Sequence, residues 1–197
     1  MKVLDIPLRG NRSYMHFPDI AFASAQAAQS LFSNDAWLSD LRIHGLIHTR
    51  PRLTLGAPSS SAASKAYLEW MSPKFGQLRG YLSESGTRAN RVDYSEIPIH
   101  ENRSQDVANK HAQCEAIEGY TPLQIATSLM KELCEHLVDG SHRQWRATHL
   151  TLGSQLPEKV MTIGIAIVRN VGTFHFTALL EMDAVRVGKL GMTRTLG

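Results

Sequence analysis

The feature that most constrains this chain is a motif that occurs twice, in register. Asp5-Ile6-Pro7-Leu8-Arg9-Gly10-Asn11-Arg12 reads against Glu96-Ile97-Pro98-Ile99-His100-Glu101-Asn102-Arg103. Ile, Pro, Asn and Arg are identical in the two copies, Asp is matched by Glu and Leu by Ile. A helix-patterned stretch follows each copy, then a Trp (Trp37 and Trp145), then a run of strand-patterned segments. Two copies of one supersecondary plan are expected to pack on each other, and a site can form where they meet. The expected organisation is a first unit over residues 1–83, a linker over 84–93 and a second unit over 94–197, packed as one domain.

In the first copy an extended segment, Val3 to Leu8, closes at Gly10-Asn11. Asp19 is the expected N-cap of a helix running to about Phe32, with Ala21, Ala25, Ala28 and Phe32 on one face. Leu41 to Thr49, Arg52 to Leu55, Ala66 to Met71 and Phe75 to Ser83 then read as strands, separated by a Gly56 to Ser64 loop and by Ser72-Pro73. The second copy inserts Ser104 to Gly119 before its helix. Thr121 is the expected N-cap there, and Pro122 suits the first helical position, where its missing N–H costs nothing. Ala126, Leu129, Met130, Leu133, Cys134 and Leu137 follow helical spacing, and Asp139-Gly140 is the expected stop. Ala147 to Gly153, Val160 to Arg169, Thr173 to Met182 and Val185 to Leu190 complete the strands, with a hairpin turn at Asn170-Val171-Gly172. Each unit thus reads as strand, one helix, then three or four antiparallel strands, an α+β plan.

Composition excludes several classes. A chain with 43% hydrophobic and 20% charged residues is an ordinary globular one. Its longest apolar run, Val160 to Val168, is broken by Thr162 and Gly164 and is too short to span a bilayer. Lys2, Asp5 and Arg9 leave no apolar leader core. Cys114 and Cys134 have no framework spacing, which suits reduced thiols and a cytoplasmic setting. No metal-ligand spacing, phosphate loop or nucleophile elbow occurs, so neither a metal nor a cofactor is expected. Residues 1–93 hold 11 Lys/Arg against 7 Asp/Glu and residues 94–197 hold 10 against 11, so the first half is the basic one.

Met15-His16-Phe17-Pro18, followed by a helix containing Ala25, Gln26, Ala27, Ala28 and Gln29, resembles the His-Phe-Pro segment of hot-dog hydroxyacyl-carrier-protein dehydratases. The resemblance implies a hot-dog fold, here in tandem as a double hot-dog, in which a long helix is wrapped by an antiparallel sheet. It also implies an acyl-thioester ligand, carried on coenzyme A or an acyl-carrier protein, with His16 as a catalytic base at the mouth of an acyl tunnel. Met15 stands where the family has Gly, and the first turns of the second helix carry Gln124, Thr127 and Ser128 in place of a carboxylate. Gln124 is therefore the second candidate catalytic residue, in a dehydratase-like or thioesterase reaction.

The recurring pairs Asn11-Arg12 and Asn102-Arg103 are candidate substrate-binding residues, because Arg clamps a carboxylate or phosphate with two parallel hydrogen bonds. They read equally as corner devices closing an edge strand. Arg42, His44, His48, Arg50 and Arg52 form a basic strip. Arg42 and His48 in it are candidate phosphate ligands, for coenzyme A or for an RNA backbone, and a plain solvent face is the other reading. An RNA-binding protein of tandem α+β units and a non-catalytic, homo-oligomeric assembly subunit are the rival functions.

Overall fold

Two helices, each entered through a proline in its first turn, organise the molecule. The structure, a computed structural model, describes residues 1–58, 64–138 and 144–195. The expected helix stop at Asp139-Gly140 and part of the expected Gly56 to Ser64 loop lie outside the described residues, as does the end of the tail. The chain divides into two compact units, residues 1–94 with 151–155, and residues 95–150 with 156–197.

In the first unit, β1 (Lys2–Val3) and β2 (Leu8–Arg9) precede helix α1 (Phe17–Leu31). β3 (Trp37–Ile43), β4 (Pro51–Leu55), β5 (Ala66–Ser72), β6 (Gly76–Glu84) and β7 (Arg91–Val92) follow. The sheet runs β1-β4-β6-β5-β3 with antiparallel neighbours, while β2 pairs separately and in parallel with β7, inside the segment expected as a linker. β5 alternates buried and half-buried residues strictly, so one face packs inward. On that face Trp70 is fully buried and its indole N–H donates to the Ser24 carbonyl of α1 at 3.0 Å. Ile20, Ala21, Ser24, Ala27 and Ala28 form the buried stripe of the helix; Ala25 is only half-buried. Small residues at these positions suit a close approach of helix to sheet.

The second unit contains α2 (Ile97–Glu101), β8 (Arg103–Asp106), β9 (His111–Glu115) and α3 (Pro122–Leu137). β10 (Trp145–Leu152), β11 (Thr162–Val171), β12 (His175–Met182) and β13 (Val185–Arg194) follow. Its strand order is β10-β13-β12-β11-β9-β8. Leu123 to Met130 of α3 are all buried, and a helix apolar on nearly every side is an interior one. The hairpin at Asn170-Val171-Gly172 forms as expected, with Gly172 at φ +55. A second one turns at Asp183-Ala184, both at positive φ.

Both units therefore place four long strands after one long helix, β3–β6 (with the short β7 beyond) and β10–β13, and Trp37 and Trp145 open the first of each set. The repeated motif itself does not fold twice the same way. Leu8-Arg9 is extended and pairs with Arg91-Val92, whereas Ile97–Glu101 is a short helix with Pro98 in its first turn. The interlacing differs too: β4 and β6 are neighbours in the first unit, while β11, β12 and β13 run as a simple meander in the second.

Three local expectations are corrected. α1 starts at Phe17 with His16 at the N-cap, which places Asp19 inside the first turn, where it receives Arg9. The strand expected over Leu41 to Thr49 ends at Ile43, where the N–H groups of His44 and Gly45 both turn to the Lys65 carbonyl, at 3.0 and 3.1 Å. The Ser104 to Gly119 insertion is mostly the β8–β9 hairpin, held by Asp106 accepting from the backbone and side chain of Asn109 at 3.0 and 2.7 Å.

Candidate functional site

His16 is where the chain passes from loop into helix. Its backbone is extended, at φ −73 and ψ 133, and its carbonyl accepts from the N–H groups of Asp19 and Ile20, each at 3.1 Å. The side chain is buried, with Nδ1 3.9 Å from Asp19 Oδ2 and its ring centroid 5.2 Å from that of Tyr94, tilted by 57°. Asp19 receives Arg9 through both edges of the carboxylate, from Nε at 2.8 Å and Nη2 at 2.9 Å. Such a bidentate pair is directional as well as strong, so it fixes the carboxylate beside the imidazole.

Arg9 and Arg12 place their guanidinium carbons 5.6 and 5.2 Å from the centre of the Tyr94 ring. That distance is within cation–π range. The loop carrying them is pinned on several sides. Arg91 donates to the carbonyls of Gly10 and Arg12, Met15 N–H donates to Ile47 O at 2.7 Å, and His48 Nδ1 lies 2.8 Å from Ser13 O. Gly10 takes φ +54, and a Cβ there would come within 3.3 Å of the Tyr94 carbonyl. The arrangement places an arginine-held carboxylate near the imidazole, at 3.9 Å and so outside hydrogen-bond range, next to a half-exposed cation.

The structure thus brings Asn11, Arg12 and His16 together on one loop, with Asn11 exposed at its tip and His48 bracing it from behind. Arg42 is elsewhere, on β3. A register shift between Leu38 and Asp40 sets Asp40 opposite Glu69, on the same face as Arg42, and Arg42 binds its carboxylate through Nε and Nη2, both at 3.0 Å. The hydrogen bond that Arg42 donates to Asp40, then the Asp40 charge, holds the guanidinium pKa above its ordinary value. Two other members of the expected strip are also engaged: His44 Nε2 with Ser64 O at 3.0 Å, and Arg50 with Asp5 at 3.1 Å. Past Ile43 the segment is no longer a strand, so these side chains do not line one face.

Gln124, Asn102 and Arg103 belong to the second unit. Gln124 and Thr121 form a reciprocal capping box at the head of α3: Thr121 N–H donates to Gln124 Oε1 at 2.9 Å, and Gln124 N–H to Thr121 Oγ1 at 3.3 Å. The amide oxygen that would meet a substrate is closing a helix. Asn102 Nδ2 donates to Pro98 O at 2.8 Å, at the end of α2. Arg103 pairs with Glu132 and donates to the carbonyl of His100. The two Asn-Arg pairs therefore do different things, one cation lying over an aromatic ring and the other against a carboxylate.

Sequence reasoning did not assign Arg9, Asp19 and Tyr94 to a site. Arg9 sits in the repeated motif, but no spacing rule connects it to Asp19 or Tyr94, which are brought there by the loop and by β7. Among the described residues, no group of three or more His, Cys, Asp or Glu is arranged to hold a metal ion. Among them, no helix is long and apolar enough to cross a membrane.

No protein-family model matches the sequence, and no curated protein matches it. Solved structures do. A dehydratase domain from the CurF module of curacin polyketide synthase has 13% identity and a TM-score of 0.50, covering 93% of this chain and 85% of that one. A pyran synthase domain from module nine of the sorangicin pathway has 11% identity, coverage of 94% and 87%, and a TM-score of 0.47. The dehydratase domain of PpsC from Mycobacterium tuberculosis, in complex with C12:1-CoA, has 8% identity, coverage of 98% and 87%, and a TM-score of 0.46. At such identities a likeness shows fold alone, and the first of them shows it. The chain is an α+β protein with the tandem hot-dog fold of polyketide synthase dehydratase domains.

Proposed function

We propose that this protein binds an acyl thioester and that His16 acts on it as a general base. One observation carries the reading: His16 stands buried at the start of the long helix of the first unit, with Asp19 beside its Nδ1 and Arg9 clamping Asp19. A carboxylate anchored in this way, 3.9 Å from the ring, stabilises by its charge the cation that forms when the imidazole accepts a proton. Arg12, over Tyr94 at the surface of the same loop, is the candidate contact for a phosphate of coenzyme A or of a carrier-protein arm. Sharing the fold of a polyketide synthase dehydratase domain supports the ligand class. The chemistry is assigned here to one base.

The test is a thermal-shift series with free coenzyme A and acyl-CoAs of increasing chain length, followed by turnover of any acyl-CoA that stabilises. A ligand binding only the folded state raises the melting temperature with its affinity and concentration. The expected result is a shift that grows with chain length. His16→Gln should keep that shift and lower turnover by about a hundredfold or more, the usual contribution of a general base. Absence of any acyl-dependent shift overturns the reading.

A further inference from the structure

The second unit holds a different constellation. Ser128 and Glu132 lie four residues apart on α3, hence on one face of that helix, and His100 of α2 reaches across both. Glu132 Oε2 is 2.7 Å from His100 Nδ1, and Ser128 Oγ is 3.5 Å from His100 Nε2. A carboxylate can only accept, so with a neutral ring Nδ1 carries the proton and Nε2 is left as the acceptor for the serine hydroxyl. Arg103 holds the other oxygen of Glu132 and donates to the His100 carbonyl, bracing carboxylate and imidazole together. Glu96 Oε2 lies 3.8 Å from His100 Nε2 and is held by Lys131 at 3.0 Å.

We propose that Ser128, His100 and Glu132 form an acyl-transfer relay, built from residues other than His16, that takes small activated esters or thioesters. The roles follow from geometry: a hydroxyl nucleophile, a base in contact with it, and a carboxylate orienting the base. The hydroxyl–imidazole distance is at the loose end of the range, as it commonly is before substrate binds. The substrate class follows from exposure. Ser128 is 2% exposed while the His100 side chain keeps 33%, so an acyl group arrives along the imidazole edge and must be small.

In the reaction, Ser128 Oγ bonds to the carbonyl carbon as its proton passes to His100 Nε2. The carbon–sulfur or carbon–oxygen bond of the leaving group then breaks, and the leaving group takes that proton. The product is acyl-Ser128. Water adds to it, giving its proton to His100. The Oγ–carbon bond breaks, releasing a carboxylic acid, and Ser128 regains the proton.

The experiment incubates the full chain with p-nitrophenyl acetate, follows p-nitrophenol release, and maps the adduct by peptide mass spectrometry after acid quench. The expected result is one acetyl group on the Ser128 peptide. Ser128→Ala should lose both the adduct and the release, and His100→Gln should slow release by about a hundredfold or more. Circular dichroism of each variant separates a folding defect from a chemical one, and the adduct on the wild-type chain needs no variant at all. Acetylation confined to other residues, or equal release by a folded Ser128→Ala protein, overturns the proposal. So does the absence of any adduct under acid quench. None of these outcomes depends on whether long acyl-CoAs bind at His16.

Discussion

Arg9 grips Asp19 through both carboxylate oxygens, at 2.8 and 2.9 Å, and thereby places that carboxylate 3.9 Å from His16 Nδ1. The pair is partly buried, with 24% of the Arg9 side chain and 9% of the Asp19 side chain exposed. Removing one partner of such a pair leaves the other charge poorly compensated, although solvent at Arg9 softens the penalty.

Arg9→Met is therefore expected to destabilise the protein by about 1–3 kcal/mol. Urea unfolding measures it. A double-mutant cycle with Asp19→Asn should show positive coupling, since the two side chains act through one contact. Additive losses would mean that the clamp is not the stabilising element.

Gly80 on β6 faces Trp70 on β5. A Cβ at Gly80 would come within 2.9 Å of two indole ring atoms and 2.8 Å of the Thr54 carbonyl. Its backbone is not in the left-handed region, so the requirement for glycine is steric. Gly80→Ala should cost about 1–3 kcal/mol by overpacking. The same substitution at Gly86, at φ +78 with nothing within 4 Å, costs only backbone strain, about 1 kcal/mol. Comparing the two melting curves separates these causes.

His175 on β12 supplies a pH dependence. Its pKa lies below the ordinary value of about 6.5, first because the ring is partly buried and then because His149 and Arg169 repel a proton. The unfolded chain binds that proton more readily than the folded one. The stability contribution is thus complete above about pH 6.5 and is lost as pH falls through the lower folded value. Urea midpoints at pH 7.5 and 5.5 should differ, and His175→Gln should narrow the difference. An unchanged difference would place the pH dependence in other groups.

Local signals in this sequence were decisive where the physics is local. Thr121, Pro122 and Gln124 lie within one helical turn, and the cap and capping box they form involve no distant residue. The apolar spacing of Ala126, Leu129, Met130, Leu133 and Cys134 likewise told which helix would be interior, because burying that many apolar side chains admits few alternatives. One long helix followed by strands, twice, was enough to expect an α+β hot-dog plan.

Tertiary structure decided the rest. The same Ile-Pro motif became an extended segment where Arg91-Val92 offered an edge, and a short helix where none was paired to it. Arg42 read as an open cation, but in β3 Asp40 shares its face and takes its guanidinium. His16 took the N-cap position, and Asp19, inside the first turn, took Arg9. His100 meets Ser128 and Glu132 across separations of 28 and 32 residues, a distance at which no periodicity links them. A helix cap is settled by neighbours along the chain. A catalytic contact is settled by which surfaces the core forces together, and that is known only once the chain has packed.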